Sequence, residues 1–232
     1  MGELLIQSPV LSAVPGLVHG FTRAEFEGHR VDMGSGATES DWDRLCQSLG
    51  CSDGELVTLT QVHGCRVRTV SASGLAGEGD ALITSQKDLI LAIRTADCVP
   101  ILVVGEGGQI AAIHAGWRGV ANGVVSETLS EMDHPFVAAI GPCISGSAYE
   151  VGAEVIDAIV GSGVPEEVVV CPGDWPRPHA DLAAAVKWQL NHGGVDRVDV
   201  LNVCTYKSNG LHSFRRDGAA SGRMAAVVGW SG

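Results

Sequence analysis

The sequence Thr-Ala-Asp-Cys-Val-Pro at 95–100, followed by His-Ala-Gly-Trp-Arg-Gly at 114–119, decides the fold of this chain. Short apolar runs surround the two motifs, at 89–93, 99–104 and 110–113. Runs of this length, interrupted by Gly-Glu-Gly-Gly at 105–108, predict adjacent buried strands rather than helices. Cys98 and His114 then lie at strand ends, where a rigid scaffold holds their side chains at one edge of a sheet.

A second histidine follows another predicted strand. His63 ends the segment Thr-Leu-Thr-Gln-Val-His at 58–63. Two imidazoles and one thiol are the donor set of a catalytic zinc site, which has three protein ligands and an open fourth position. The spacing contains no tight CxxC or HExxH pair, and these residues can equally be ordinary core residues. Asp97 and Arg118, close to Cys98 and His114, favour a site because polar groups near a core must be paired.

The composition is that of a globular protein with an acidic surface. Of the 232 residues, 45% are hydrophobic and 18% are charged, and the formal net charge is −12. A chain of this size buries a large core, and we expect one domain over residues 1–232. The negative charge argues against nucleic acid or anionic membrane as a partner. An anionic small-molecule substrate therefore needs a local basic pocket.

The sequence also carries signals of location. No apolar run approaches the ~20 residues that span a bilayer, and Met-Gly-Glu-Leu-Leu at 1–5 lacks the basic region of a secretory signal. The seven cysteines are an odd number without a disulfide framework, which suits a reducing compartment. We therefore expect a cytoplasmic protein. The sequence does not decide its oligomeric state, and a monomer is the working expectation.

The remaining periodicity predicts α+β layers with mixed sheets. Apolar spacing predicts helices at 42–49, 120–132, 149–160 and 182–190. Further strands are predicted at 136–140, 168–171, 198–203 and 224–230, whereas 22–41 is predicted to be a loop bordering a pocket. Strands follow one another directly before residue 116 and alternate with helices after it, which favours α+β layers over a doubly wound parallel sheet.

Five motifs in register resemble the YfiH, or laccase-domain, family. They are Thr60–Gly64, Thr95–Pro100, His114–Gly119, Ile140–Ile144 with Tyr149–Gly152, and His212–Gly218 with Gly222 and Arg223. They occur in the family's order, from about residue 56 to the C terminus. The resemblance implies a four-layer α/β/β/α sandwich, similar to that of cysteine-hydrolase toxins. It also implies metal ligands at His63, Cys98 and His114, the residues reached above from strand ends.

The resemblance weakens toward the N terminus. The family has a Gly-Gly-Val-Ser loop and an arginine on the helix that follows, whereas residues 23–41 are shorter here and Trp42 stands at the arginine position. Because this region borders the family's substrate pocket, we expect weaker phosphate binding than in members with the full loop.

The resemblance implies a purine nucleoside phosphorylase that depends on zinc. Members of the family have been named for copper-dependent polyphenol oxidation and for phosphorolysis of purine nucleosides with adenosine deamination. Here the substrates would be phosphate and adenosine, inosine, guanosine or methylthioadenosine, and deamination of adenosine would be a second activity. His63, Cys98 and His114 would be catalytic through the metal, and Asp97 would be the proton shuttle in deamination.

Phosphorolysis passes through an oxocarbenium-like state and needs an anion held in line with the bond that breaks. Arg118 and one of Arg215 or Arg216 are candidates for the anion, since guanidinium groups are planar bidentate donors. Gln61 is a candidate for contacting the base or ribose. Each of these candidate residues also has a structural interpretation. The arginines can form surface salt bridges, Gln61 can hydrogen-bond backbone groups at a strand end, and Asp97 can form an Asx-turn.

Three other functions remain open at this stage. Copper oxidation of phenols is less favoured, because the eight histidines include no His-x-His pair and a thiolate with two imidazoles suits zinc. A metal-free hydrolase would use Cys98 as the nucleophile with His114 or His63 as its base. A zinc-stabilised binding module would have no catalytic activity.

Overall fold

Two six-stranded mixed sheets pack face to face in the computed structural model. The structure describes residues 3–231, and Met1, Gly2 and Gly232 lie outside the described part. The strands are β1 (Leu5–Ile6), β2 (Leu17–Thr22), β3 (Glu25–Phe26), β4 (His29–Arg30), β5 (Leu56–Thr60), β6 (Val67–Thr69), β7 (Gly74–Glu78), β8 (Ala81–Thr84), β9 (Ile90–Thr95), β10 (Val99–Gly105), β11 (Ile110–Ala115), β12 (Pro135–Ile140), β13 (Arg197–Val200) and β14 (Met224–Trp230). The helices are α1 (Pro9–Ser12), α2 (Glu39–Leu49), α3 (Trp117–Ala121), α4 (Val124–Ser130), α5 (Ala153–Gly161), α6 (Glu166–Val169), α7 (Leu182–His192) and α8 (Phe214–Asp217).

The strand order shows how the chain crosses between the sheets. The first sheet has the order β1-β2-β14-β9-β5-β7 and the second has the order β13-β12-β10-β11-β8-β6. The chain leaves the first sheet at the end of β9 and enters the second at the start of β10. The Thr-Ala-Asp-Cys segment at 95–98 is therefore the crossover, which joins the C-terminal end of β9 to the N-terminal end of β10.

Three apolar clusters separate four layers. Side chains of β9, such as Leu91 and Ile93, pack against Leu102 and Val104 of β10 between the two sheets. The opposite face of β10, including Ile101 and Val103, packs on α3, α4, α5 and α7. The outer face of the first sheet packs on α2. The α+β fold predicted from the sequence, with mixed sheets in a four-layer sandwich, is confirmed.

The sequence of strand β10 is a continuous apolar run because both faces of the strand are covered. All its residues from Val99 to Gly105 are buried, because one face meets the other sheet and the next face meets the helices. Full burial of each large aliphatic side chain contributes about 1.5–3 kcal/mol. A strand covered on both faces loses the apolar-polar alternation of a half-exposed strand.

Helix α2 begins earlier than the apolar spacing indicated. Thr38 caps its N terminus in a capping box with Asp41, so the helix starts at Glu39 rather than at residue 42. It ends at Gly50, whose φ of 71° is the left-handed conformation that favours glycine at a helix end.

Several other predicted elements are wrong in extent or type. The helix predicted over 120–132 is divided into α3 and α4 at Gly123, which has a φ of 80°. Of the strand predicted at 168–171, the first two residues belong to the single turn α6, which starts after Pro165, and only Val170 forms a β-bridge, with Ala180. The helix predicted from 149 begins at Ala153, and the 22–41 loop contains the hairpin β3–β4. Short segments are decided by glycine, proline and tertiary contacts more than by apolar spacing.

Strand β14 and helix α7 follow the predicted positions closely. Within residues 3–231, no helix has the length and apolar character needed to cross a membrane.

Candidate metal centre

Three side chains from separate parts of the chain converge at the crossover between the two sheets. His63 follows β5, Cys98 precedes β10 and His114 is the penultimate residue of β11. Their ligand atoms all lie within 4.8 Å of one another. The two imidazole rings meet edge to face with their centroids 4.8 Å apart. A thiol and two imidazoles this close have the donor chemistry of a zinc site.

The backbone at His63 is held in an uncommon conformation by a buried carboxylate. His63 has a φ of 59°, the left-handed region that non-glycine residues rarely adopt. Asp80 is fully buried, and its carboxylate accepts hydrogen bonds from the backbone N–H groups of His63 at 2.9 Å and Gly64 at 2.7 Å. These bonds stabilise the turn that brings the imidazole to the cluster.

The same carboxylate orients the second histidine. The Nδ1–H of His114 donates to Asp80 Oδ1 at 2.8 Å, and both side chains are buried. Because Nδ1 is occupied, Nε2 is the nitrogen available to a metal. One aspartate therefore positions both candidate imidazole ligands.

A glycine lies where helix α3 closely approaches the cluster. A Cβ atom at Gly116 would lie 3.1 Å from Cys98 Sγ and 3.1 Å from His63 Cδ2. A side chain at residue 116 would crowd both donors, so glycine leaves space for an ion between them.

The electrostatics of the cluster favour a thiolate. Burial alone disfavours it, but hydrogen bonds from His114 and His63 lower the pKa of Cys98 to about 6. Burial also opposes the charge of His114, yet its hydrogen bonds to Asp80 and Cys98 raise the pKa of the imidazole to about 9. The pKa of Asp80 is lowered, because bonds from His114 and backbone N–H groups outweigh burial. The thiolate is thus formed at neutral pH, as a metal ligand requires.

The cluster opens into a cavity of about 820 Å³. Its lining includes four arginines: Arg94, Arg118, Arg215 and Arg223. In the described part of the chain, no carboxylate lies within ion-pair distance of any of these guanidinium groups. A cationic cavity of this kind, in a chain with a net charge of −12, supplies the local basic pocket that an anionic substrate needs.

The sequence-predicted residues Asp97 and Gln61 line the cavity, but their polar atoms are engaged. Asp97 accepts a hydrogen bond from the Thr205 hydroxyl at 2.5 Å and another from the backbone N–H of Arg215 at 2.6 Å. The Gln61 amide donates to the carbonyl of Arg94 and accepts from its N–H, both at 2.8 Å. Both side chains therefore anchor neighbouring backbone.

The predicted arginines separate into two groups. Arg118 and Arg215 line the cavity, where they stack at 4.4 Å from the Trp117 ring and 5.0 Å from the Tyr149 ring. Arg216 is not among the lining residues. Its guanidinium pairs with the carboxylate of Asp217 and donates to the carbonyls of residues 205, 206, 208 and 211. Arg216 thus has no free donor for an anion, and its proposed role in substrate binding is not supported by this geometry.

Sequence reasoning missed three residues of the site: Asp80, Arg94 and Arg223. Asp80 was given no role, although an acid directly before the apolar run 81–83 is a signal of a buried carboxylate. Arg94 carried a similar signal, since it interrupts the apolar strand β9 one residue before its end. Arg223 belongs to a motif that was quoted without a role.

Comparison with known proteins gives one matching family model and relatives that share one name. A family model described as multi-copper polyphenol oxidoreductase laccase matches residues 21–231. A Deinococcus radiodurans protein named purine nucleoside phosphorylase is 38% identical over 193 residues, which cover 80% of this chain and 74% of the relative. A Mycobacterium tuberculosis protein also named purine nucleoside phosphorylase is 34% identical over 210 residues, covering 87% and 82%.

Solved structures show the same architecture. YlmD from Geobacillus stearothermophilus has a TM-score of 0.84 at 26% identity, with all of both chains covered. A Neisseria meningitidis protein of the DUF152 family has a TM-score of 0.81 at 29% identity, covering 95% of this chain and 96% of the other. With the family model matched over almost the whole described chain, this protein belongs to the laccase-domain family that includes YfiH and the DUF152 proteins.

Proposed function

We propose that this chain is a purine nucleoside phosphorylase that holds zinc at His63, Cys98 and His114. The observation that carries the proposal is the position of the candidate ligands in a cavity whose four arginines have no carboxylate partner in the described chain. The relatives named purine nucleoside phosphorylase support the same activity.

The cavity offers contacts for both substrates. The rings of Trp117, Tyr149 and Phe214 line it and provide apolar surfaces for a planar purine. The arginines provide planar donors for phosphate. The Thr95 hydroxyl is buried on the cavity wall and has no hydrogen-bond partner among the described residues, so it is free to bond a polar substrate group.

The reaction requires one bond to form and one to break. A phosphate oxygen forms a bond to C1′ of the ribose, the bond from C1′ to the purine nitrogen breaks, and the purine leaves with the electron pair and takes up a proton. Arginines among the four in the cavity hold the phosphate and the rings hold the base, so that the reacting atoms are in line. When bound, zinc supplies Lewis-acid chemistry. The chain's own part is to position both imidazoles through Asp80, while the imidazoles hydrogen-bond the Cys98 thiolate.

Product analysis after incubation with adenosine tests the proposal. We expect free adenine and ribose 1-phosphate only when phosphate is present, and elemental analysis should show about one zinc per chain. Cys98→Ala should lose both the metal and the turnover. Inosine as the sole product would instead indicate deamination. If zinc-loaded protein converts no purine nucleoside, the proposal is wrong.

A metal-free hydrolase is the second candidate, because the ligand residues also resemble a nucleophile, base and carboxylate triad. Cys98 is hydrogen-bonded to His114, which is in turn bonded to Asp80. A hydrolase of this kind would keep its activity after removal of zinc by a chelator. The proposed phosphorylase would lose activity and recover it when zinc is returned, which distinguishes the two.

A further inference from the structure

Two of the cavity arginines lie on the same face of the first sheet, Arg94 in β9 and Arg223 directly before β14. Strands β9 and β14 are antiparallel, with Arg94 opposite Ala225. Side chains alternate between the two faces of a strand. Arg94 therefore shares the face of Ile90 and Ala92, and Arg223 continues the face of Ala225 and Val227. All four apolar residues belong to the cluster that packs on α2. The two arginines lie where this cluster ends and the cavity begins.

Each guanidinium is anchored at one nitrogen and has other donors to spare. Arg94 Nη2 donates to the carbonyl of Leu59 at 2.7 Å. Arg223 Nη1 donates to the carbonyls of Ser221 and Gly222, both at 2.9 Å. Within residues 3–231, Nε and the second terminal nitrogen of each side chain have no hydrogen-bond partner. Anchored guanidinium groups with free donors are preorganised to bind an oxyanion, because little rotamer freedom is left to lose.

The charges of the two arginines are not balanced by the chain. Both side chains are half-buried, and burial together with the charge of Arg223 lowers the pKa of Arg94. Asp32 is the carboxylate beside them. Its Oδ1 accepts from the backbone N–H groups of Arg223 and Gly34, each at 2.8 Å, and it makes no ion pair with either guanidinium. Two unpaired cations on one half-buried wall repel each other, and a bound anion removes that repulsion.

The loop that contains Asp32 closes tightly against this wall. A Cβ atom at Gly34 would lie 2.8 Å from Arg223 Cγ and 3.0 Å from Asp32 Oδ1. Only glycine allows this approach, and Ser35 then lines the cavity next to the pair. The loop limits solvent access to the guanidinium groups, which strengthens their interaction with an anion.

We infer that Arg94 and Arg223 form the phosphate subsite of the cavity. The inference rests on the proposed phosphorylase function for the identity of the anion. Arg94 and Arg223 are half-buried, whereas Arg118 and Arg215, which were the candidates from sequence, are exposed. They are better placed beside the purine and ribose, whereas the half-buried pair holds the phosphate dianion with planar charge-assisted bonds.

The test compares three variants of the zinc-loaded protein: Arg94→Gln and Arg223→Gln in the inferred subsite, and Arg118→Gln, which lines the same cavity outside that subsite. Loss of one charge-assisted contact should raise the KM for phosphate by about 10- to 100-fold in each of the first two. The KM for adenosine should change by less than about threefold in Arg94→Gln and Arg223→Gln. In Arg118→Gln the phosphate KM should change by less than about threefold, because the subsite is intact. Arg94→Lys, which keeps the charge but not the planar fork, should give an intermediate phosphate KM.

Isothermal titration calorimetry with inorganic phosphate alone measures the binding affinity for phosphate and does not need turnover. Binding should be seen in the wild type and in Arg118→Gln and should be lost in Arg94→Gln, while circular dichroism shows that each variant is folded. If the wild type cleaves adenosine with phosphate but both pair variants keep normal phosphate affinity, the subsite is wrong and the function stands. If the wild type binds phosphate through Arg94 without cleaving nucleosides, the function is wrong and the subsite stands. A larger loss of phosphate affinity in Arg118→Gln than in either pair variant would also overturn the inference.

Discussion

Asp80 and Asp97 are both buried carboxylates near the candidate metal ligands, yet they act on different parts of the chain. Asp80 bonds the backbone of His63 and the ring of His114, and so it contacts two candidate ligands directly. Asp97 precedes Cys98 in the sequence, but its carboxylate bonds Thr205 and the backbone of Arg215. It fastens the C-terminal loop to the crossover between the sheets. Both residues are buried acids, but their hydrogen-bond partners differ.

The difference shows that closeness in sequence to a ligand is a poor guide to chemical role. Adjacent residues in an extended segment direct their side chains to opposite sides. Asp97, with a φ of 85°, also leaves regular strand geometry. Asp80 lies far in sequence from His114 but reaches it, because β8 and β11 are neighbours in the second sheet. The following predictions test this division between a ligand-orienting and a loop-fastening aspartate.

The largest effect is expected for Asp80→Ala. This change leaves the buried His114 without its partner and three backbone N–H groups without their acceptor. Removing one member of a buried pair destabilises by about 3–5 kcal/mol. Urea denaturation of the metal-free protein measures the change in the free energy of unfolding. A change below about 1 kcal/mol would mean that Asp80 does not hold the turn and the imidazole together.

The second effect is on the pH dependence of Cys98 alkylation in metal-free protein. The thiolate is the reactive form. Because the pKa of Cys98 is lowered from 9.0 to about 6, its alkylation rate should rise with pH through about 6 and level off above it. Asp80→Asn should move the midpoint upward, since the imidazole loses the carboxylate that keeps it charged. Asp97→Asn should leave it in place.

Mass spectrometry locates the label on Cys98, and Cys98→Ser provides the background from the other cysteines. A midpoint near 9.0, the ordinary value, would show that the imidazoles do not stabilise the thiolate.

The third effect is on metal affinity. Loss of a carboxylate behind a histidine ligand typically lowers metal affinity by about 10- to 100-fold. Asp80→Asn should show this loss in competition with a chromophoric chelator. Asp97→Asn should stay within about threefold of the wild type because its carboxylate contacts no ligand side chain. If Asp97→Asn keeps metal and fold but loses deamination of adenosine, Asp97 acts as a proton shuttle after all.

The smallest effect is expected for Thr205→Val, which removes only the hydroxyl that bonds Asp97. The loss of one such bond should lower the free energy of unfolding by about 1 kcal/mol. Thr205→Ser keeps the hydroxyl and is the matched control. Metal content should be the same in both, measured by elemental analysis. A loss of metal in Thr205→Val alone would break the distinction between the two aspartates.

The elements that sequence predicted well have strong local signals. The buried strands β10 and β14 are long apolar runs, and α7 has both an apolar stripe and an Asp181 cap. The errors are at short elements such as α6 and at the break between α3 and α4. There the apolar spacing is too brief to outweigh one proline or glycine. The hairpin β3–β4 has only two residues in each strand, which is too few for any period to be visible.

The sequence by itself determined the apolar strands, the layers that they form and the placement of His63, Cys98 and His114 at the ends of strands. These follow from residue type and local spacing, and the laccase-domain motifs carry the same information. Only the tertiary structure decided that Asp80 orients the imidazoles and that the donors of Arg216 are all bonded to backbone carbonyls and Asp217. It also decided that Arg94 and Arg223 lie on the same face of the first sheet. A polar side chain's role depends on which donors and acceptors the fold brings within about 3 Å of it. That information resides in strand pairing between distant segments, and no local pattern encodes it.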